Sequence, residues 1–414
     1  GFEPSAFKRA YLNEVKNFEY EIVNSQGPNG SSTWTAHLDA RAWNTRTKIL
    51  EKLAEFLKES SFTVILNDLF ACVKLSAHEV IPMLNPVLGR LAYIEEWGGK
   101  CRIVAQLDYW TQMAMTPLHN TINLFLKDLP QDGTFDQGAV AARVRAWTAS
   151  KESQLNSFDL TAATDRLPIS LQVMILSELL SSNSLAIAWE WILTARGYVG
   201  KDGEYKYYNV GQPMGARSSF PMLALTHHVI IVIAAMRAGE TSFEEWVVLG
   251  DDSVINSIAT SEQYRKLMTE QLLVTINEMK SILRRPGALG AAEICKRVFI
   301  AGSELSAINP KLIAKAISDG REGANLQNDL INRGVDLSPR KFWLFMAALL
   351  DRDNLVTLIK LNLVPISISG LVKVVRPDTK LVDLSTWLPD LTLVEKDLIE
   401  LFAYVTATES LKRL

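Results

Sequence analysis

The spacing of apolar and polar positions predicts a helical first third, a mixed centre and a mainly helical end in this 414-residue chain. Ile49, Leu50, Leu53, Phe56 and Leu57 recur at three- and four-residue intervals, the mark of one buried helix face, and predict a helix over 45–60. A second helix is expected over 111–126, interrupted at Pro117, because a proline ring opposes a helix interior. Thr134 and Gln137 stand at capping-box spacing and would open a helix running to about Ala149. Residues 168–180 carry Ile169, Leu171, Val173, Met174, Ile175, Leu176, Leu179 and Leu180; a helix apolar all round is a buried one. Residues 198–210 read as a hairpin turning at Asp202-Gly203. The Gly/Pro loop 211–215 feeds a long apolar helix from Ser218 to about Arg237, and 260–272 reads as an amphipathic helix capped at Thr260. Strand-like stretches fall at 155–160, 274–279 and 293–301, and a β-branched, proline-containing patch at 364–375.

The central order of strand and helix, then helix, strand, strand, helix and strand, resembles a split βαβ sheet with helices behind it, so the expected class is α+β and helix-rich. Within it, Val247-Val248-Leu249 and Val254-Ile255 flank Gly250-Asp251-Asp252, which gives strand, tight turn, strand with two carboxylates at the tip. Adjacent anions at such a junction are costly unless something cationic sits there. Asp and Gly are also ordinary turn residues, and roughly one chain in ten of this size would hold the triplet by chance. It therefore needs a partner. Asp159 ends the 155–160 strand, and a split βαβ sheet lays that end beside the central hairpin. Carboxylates from separate elements are what two-metal phosphoryl transfer requires. Side chains of neighbouring residues near a strand end diverge, so Asp251 is expected as the direct ligand and Asp252 as a secondary one.

Composition narrows the setting. Hydrophobic residues make up 48% and charged residues 21%, as in a packed globular protein, and the length suggests two or three lobes. Net charge is −3 and the pI about 6.1, which opposes coating of nucleic acid by bulk charge but allows a basic channel in a neutral shell. Cys72, Cys101 and Cys295 lack the short spacings of a disulfide framework or zinc knuckle, so a reducing, intracellular compartment is expected. No apolar run looks long enough to span a membrane and no signal peptide is visible; the Gly1 start suggests a fragment or processed product. His227 and His228 lie in an apolar helix with no Cys or acid at ligand spacing, which favours a core role over metal binding.

Five ordered segments carry a family resemblance. Ser157-Phe158-Asp159-Leu160-Thr161-Ala162-Ala163-Thr164-Asp165 resembles motif A of the mitovirus RNA-dependent RNA polymerases. Gly211-Gln212-Pro213-Met214-Gly215-Ala216-Arg217-Ser218-Ser219, running on to His227-His228, resembles their motif B, and Leu249-Gly250-Asp251-Asp252 their motif C. Gly99-Lys100-Cys101-Arg102-Ile103-Val104, continuing to Pro117-Leu118-His119, resembles motif F, and Glu293-Ile294-Cys295-Lys296-Arg297 motif E. RNA bacteriophage replicases and narnaviruses look like more distant relatives.

The resemblance implies a right-hand polymerase. Its fingers would cover 1–150, its palm 151–310 with a fingers insertion at about 182–212, and its thumb 311–414. It implies addition of NTPs to an RNA 3′ end on an RNA template. Asp159, Asp251 and Asp252 would hold two Mg2+ ions, or Mn2+. Lys100 and Arg102 would grip the triphosphate, and Asp165 with Ser218 and Ser219 would read the ribose. Gly211 and Gly215 would let the loop move. Lys280 would protonate pyrophosphate, by its position relative to motif D, and Lys296 and Arg297 would hold the primer-strand backbone. Template and nascent RNA are the expected partners, with no obligate protein partner, and the host mitochondrion is the implied location. Two alternatives stand beside this: a reverse transcriptase, disfavoured by Asp165 and by Leu249 ahead of the triplet, and a non-catalytic RNA-binding relic.

Overall fold

A three-stranded antiparallel sheet, in the order Leu155–Asp159, Asp252–Asn256, Trp246–Leu249, organises the centre of the chain. This computed structural model describes residues 3–76, 85–96, 99–285, 287–306, 310–318, 322–333 and 342. Leu155 pairs with Asn256 and Asp159 with Asp252, while Trp246 pairs with Ile255 and Leu249 with Asp252. Irregular backbone extends the sheet at both edges: Ile276 and Ile282 bridge to Leu160 and Ser157, and Asp132 bridges to Val248.

Alternation along these strands sorts their side chains onto two faces, and both are covered. Leu155, Val247 and Val254 pack against Val140, Ala141 and Val144 of the Gln137–Ala149 helix and against Ala292, Ile294 and Phe299 of a hairpin, Ala291–Ile294 with Arg297–Ile300. On the opposite face Phe158, Trp246, Val248 and Ile255 meet Ile230, Ile231 and Ala234 of the Ser219–Arg237 helix, together with Tyr264, Leu267 and Met268. Covering on both faces explains why these strands read as near-continuous apolar runs.

A second sheet runs in the order Lys100–Leu107, Gly89–Glu96, Tyr198–Val199, Tyr205–Lys206. Helices Pro4–Lys16, Ala36–Asn44, Thr47–Glu59, Tyr109–Lys127 and Asn183–Thr194 share a core built on Phe7, Trp43, Leu53, Phe56 and Trp189. Inside it lies a fully buried ion pair. Asp108 accepts hydrogen bonds from Thr111 N (3.0 Å), Trp43 Nε1 (2.7 Å) and Arg196 Nη1 (2.5 Å). Arg196, 1% exposed, also donates to the carbonyls of Ile192 and Leu88 and to Thr111 Oγ1. Beside it Asp39 accepts from Asn29 Nδ2 and Tyr109 N; burial, and then the Asp108 charge, push its carboxyl up to about 7.

Residues 1–303 form one compact unit and 304–414 another, the latter with described helices Pro310–Ser318 and Gly323–Asn332. The helix-rich α+β expectation holds. Several local expectations do not. The Tyr109–Lys127 helix runs unbroken through Pro117, since burial of most of its length outweighs the roughly 3 kcal/mol that an interior proline costs. Asp136, not Thr134, caps the Gln137–Ala149 helix, accepting from Ala139 N at 2.8 Å. Ser257, not Thr260, caps Ile258–Lys266, its Oγ accepting from Thr260 N at 3.1 Å. The 274–279 stretch follows the central sheet through isolated bridges rather than a continuous strand. Ser219–Arg237 is long and apolar enough to cross a membrane, contrary to the sequence reading, but 72% of its apolar stretch is buried inside the protein, as in a core helix. The 364–375 patch lies outside the described residues.

Candidate active site

The end of the central sheet gathers the acids. Asp159 and Asp252 are direct cross-strand partners, so their side chains emerge on one face with Cβ atoms about 5 Å apart. Asp251 occupies the hairpin tip between them and Leu249 and is exposed. Gly250 makes that tip possible: its φ is +62°, and a Cβ there would come within 2.7 Å of the Phe220 ring. From behind, His227 Nδ1 donates to the Gly250 carbonyl at 2.8 Å and Nε2 accepts from Tyr264 Oη at 2.7 Å. Burial lowers the His227 pKa to about 4, so the ring is neutral and serves as a strut. His228 is likewise buried, Nε2 meeting Asp132 Oδ2 at 3.0 Å and Nδ1 accepting from Trp246 Nε1.

Burial raises the Asp252 carboxyl to about 7, and Asp251, Asp159 and Glu293 add to the rise. Lys296 opposes it, and Lys280 Nζ stands 3.7 Å from Asp159 Oδ2. Lys280 reaches that position because Asn277 N donates to the Asp159 carbonyl (2.8 Å) and Ser281 Oγ accepts from Asp159 N (3.2 Å). Lys296 lies in a tight turn in which it and Cys295 both have positive φ, and its charge acts on Asp252. Ser157 Oγ anchors this hairpin by accepting from Glu293 N at 2.9 Å. The Arg297 guanidinium lies 5.4 Å from the Phe299 ring.

Among the described residues no three His, Cys, Asp or Glu side chains converge as a ready-made ion cage. Hard carboxylate oxygens are nevertheless the donors a divalent cation takes, and Asp159, Asp251 and Asp252 are the residues that would hold one.

A cavity of about 550 Å³ opens beside Asp251. Arg102, Thr164, Gly215, Ser219 and Phe220 line it, with Glu21, His119, Asn120 and Arg217. Gly215 fits because φ is +117° and because a Cβ would sit 2.4 Å from the Ala105 carbonyl; Ala105 N in turn donates to the Met214 carbonyl at 2.7 Å. The loop thus rests on the strand that carries Arg102. Lys100 lies on the same strand, two residues before Arg102 and paired with Glu96, and its side chain lies outside the described residues.

Other expected residues lie elsewhere. Asp165 lines a separate cavity of about 340 Å³ with Arg166, Lys206, Tyr207 and Tyr208; partial enclosure raises its pKa, against the pull of Arg166. Ser218 is fully buried in a left-handed conformation, its Oγ accepting from Trp189 Nε1 at 3.0 Å, so it makes no side-chain cap and does not line the cavity. Ser219 does line it. Sequence reasoning gave no role to Glu293 or His119, although both stand within segments it singled out. Glu21 carries no local signal, since its placement depends on contacts nearly two hundred residues away.

Comparison with known proteins decides the family, for the mitovirus RNA-dependent RNA polymerase family matches residues 13–386. The chain belongs to that family. The RNA-directed RNA polymerase of Cryphonectria parasitica mitovirus 1 is 38% identical over 284 residues, covering 66% of this chain and 35% of the relative. The chain thus spans about a third of that relative's length. An uncharacterized mitochondrial protein of Arabidopsis thaliana is 31% identical, covering 46% of this chain and 77% of that protein. A second from the same plant is 28% identical over 41% of this chain and 88% of its own. Among solved structures, the RNA-dependent RNA polymerase of a human picobirnavirus, in an insertion-loop deletion mutant, overlaps 65% of this mitovirus-type chain and 59% of its own at TM-score 0.44 and 15% identity. The telomerase of Candida tropicalis overlaps 53% and 55% at TM-score 0.39 and 13% identity. These structural likenesses are too loose to assign roles.

Proposed function

We propose that this chain forms the catalytic part of an RNA-dependent RNA polymerase that adds nucleoside monophosphates from NTPs to an RNA 3′ end on an RNA template. The observation that carries the reading is the meeting of Asp159 and Asp252 across adjacent strand ends, with Asp251 turned to a cavity that it shares with Arg102. In the reaction a 3′-hydroxyl oxygen attacks the α-phosphorus, the bond to pyrophosphate breaks in line, the hydroxyl loses its proton and pyrophosphate gains one. Two Mg2+ ions held by Asp159, Asp251 and Asp252 would activate the hydroxyl and neutralise charge on the departing pyrophosphate.

The remaining work falls to the chain's own side chains. Arg102, together with Lys100 from the same strand, would bind the triphosphate, since guanidinium and ammonium match phosphate oxygens. Lys280, 3.7 Å from Asp159 Oδ2, would give the proton that pyrophosphate takes. Ser219 lines the nucleotide's cavity, and Asp165 would read the ribose from across the 211–215 loop, whose Gln212 N donates to the Thr164 carbonyl at 3.0 Å. Lys296, held near Asp252, and Arg297 would meet the primer backbone. In right-hand terms residues 1–150 would supply fingers, 151–310 the palm, with 182–212 inserted from the fingers, and 311–414 the thumb. The mitochondrial relatives support a mitochondrial setting.

A primer–template assay tests the reading. Incorporation of labelled NTP with magnesium, lost in Asp251→Ala, is the expected result. Preference for dNTPs would reassign the chain to reverse transcription. RNA binding without incorporation by either substrate would leave a non-catalytic relic.

A further inference from the structure

The Gly215–Ser219 wall of the cavity is held by polar groups, some of them lining the same cavity, that the chemistry above does not use. Arg217 forks onto Glu21: Nη1 donates to Oε1 at 3.0 Å and Nη2 to Oε2. Nη1 also donates to Thr116 Oγ1 at 2.5 Å. The main chain of the same stretch is fixed by the Tyr109–Lys127 helix. Gln112 Oε1 accepts from Arg217 N at 2.8 Å, Gln112 Nε2 donates to the Gly215 carbonyl at 3.0 Å, and Ser218 N donates to His119 Nδ1 at 3.2 Å.

Two features separate this from an incidental surface ion pair. Gly215 and Ser218 both have positive φ, +117° and +74°, and a serine in that region persists only where its surroundings hold it. Glu21 is not a free end either. It lies in an irregular stretch, 18–24, that is itself tied down: Tyr109 Oη donates to the Glu21 carbonyl at 3.1 Å, and Val23 N donates to Thr33 Oγ1 at 2.6 Å. An ion pair waving in solvent contributes little. A forked guanidinium, 23% exposed, with a third acceptor and an anchored backbone is a different object.

We infer that Glu21 and Arg217 form a strap that positions the Gly215–Ser219 loop over the nucleotide cavity and so sets how firmly an incoming NTP is held. The strap rests on the polymerase reading for its substrate, though not for its mechanics. Neither residue touches reacting atoms; both are positioning residues. Loosening the strap lets residues 215–218 leave their strained conformation, which lowers the cavity wall.

Hydrogen exchange on the full chain reads the strap directly. Glu21→Gln and Arg217→Glu should each speed exchange at the amides of 216–218 by about tenfold, with the Ser219–Arg237 helix beyond its first turn unchanged. The charge-swapped double variant, Glu21→Arg with Arg217→Glu, should restore protection. In NTP incorporation the single variants should raise KM about threefold or more, with a smaller fall in kcat, and the swap should recover it. Unchanged exchange and KM in the single variants, or a double variant whose losses simply add, would overturn the strap. A wild-type chain that incorporates no nucleotide would sink the polymerase reading alone, because exchange still judges the strap. Should Arg217→Glu unfold the chain, Glu21→Gln and Thr116→Val carry the test, with faster 216–218 exchange expected in both and wild-type exchange in both counting against the strap.

Discussion

Two charge clusters in this molecule were built to opposite rules. The buried Asp108–Arg196 pair is fully hydrogen-bonded: the carboxylate accepts from Trp43, Thr111 and Arg196, and the guanidinium donates to Asp108, Thr111 and two carbonyls. Around Asp252 the acids stand at a sheet end beside a cavity, and the Asp252 pKa climbs to about 7, first through burial and then through Asp251, Asp159 and Glu293, with Lys296 opposing the rise and Lys280 3.7 Å from Asp159. A satisfied buried network fixes a fold. Acids with perturbed titration at a cavity mouth are instead where a bound ligand can change the balance of charge.

The largest expected contrast is in activity. Asp251→Ala should lower NTP incorporation by about 10³-fold or more, because charge neutralisation at the transferred phosphoryl is the dominant catalytic term, while the thermal midpoint without metal stays within a few degrees of wild type or rises. A variant that loses both activity and folding would show that the tip acid belongs to the fold after all.

Next in size is the closed cluster. Asp108→Ala should destabilise the chain by about 3–5 kcal/mol, since it strands Arg196 in the core. Chemical denaturation measures this, and a cost below 1 kcal/mol would break the comparison. The neighbouring Asp39 adds a pH signature. Its folded pKa lies above the unfolded value, so the folded state holds the proton more tightly. Stability from this group is then full in acid and falls as pH rises from about 4 toward 7. Asp39→Asn should flatten that part of the wild-type pH–stability curve.

How far these clusters were legible in sequence follows from their geometry. Asp159, Gly250 and Asp251 were readable because hydrophobic runs bracket them and a split βαβ order brings strand ends together. The residues completing Asp108 were not, for Trp43, Asp108 and Arg196 come from three distant segments and only packing joins them. Motif order set Ser218 at the ribose without showing that its hydroxyl accepts from the buried Trp189, a partner that only packing brings to it. Pro117 misled because a local penalty was weighed without the burial that exceeds it. Asp165 was placed by motif order, which cannot see that the 211–215 loop separates its cavity from that of Asp251.

Metal should act on the Asp252 cluster. Magnesium at a hundred times its dissociation constant would stabilise the wild type by about 2.7 kcal/mol, seen as a rise in thermal midpoint that chelator reverses. Asp252→Asn and Asp159→Asn should each shrink the rise, whereas Asp39→Asn should leave it intact. An equal rise in all four proteins would mean that the ion binds elsewhere.

The smallest effect is the most discriminating. Lys280 is largely exposed and 3.7 Å from Asp159, so in chelator Lys280→Met should cost no more than about 1 kcal/mol, the range of a solvent-screened pair. Its value is in the metal dependence. If the ammonium only stands in for a missing cation, magnesium on Asp159 takes over the compensation, and the stability gap between wild type and Lys280→Met should close as magnesium is added. The buried Asp108–Arg196 pair has no such substitute, and the loss in Asp108→Ala should be the same with or without the ion. A Lys280→Met gap that persists at saturating magnesium would make Lys280 a structural partner of Asp159 and shrink the difference between the two clusters.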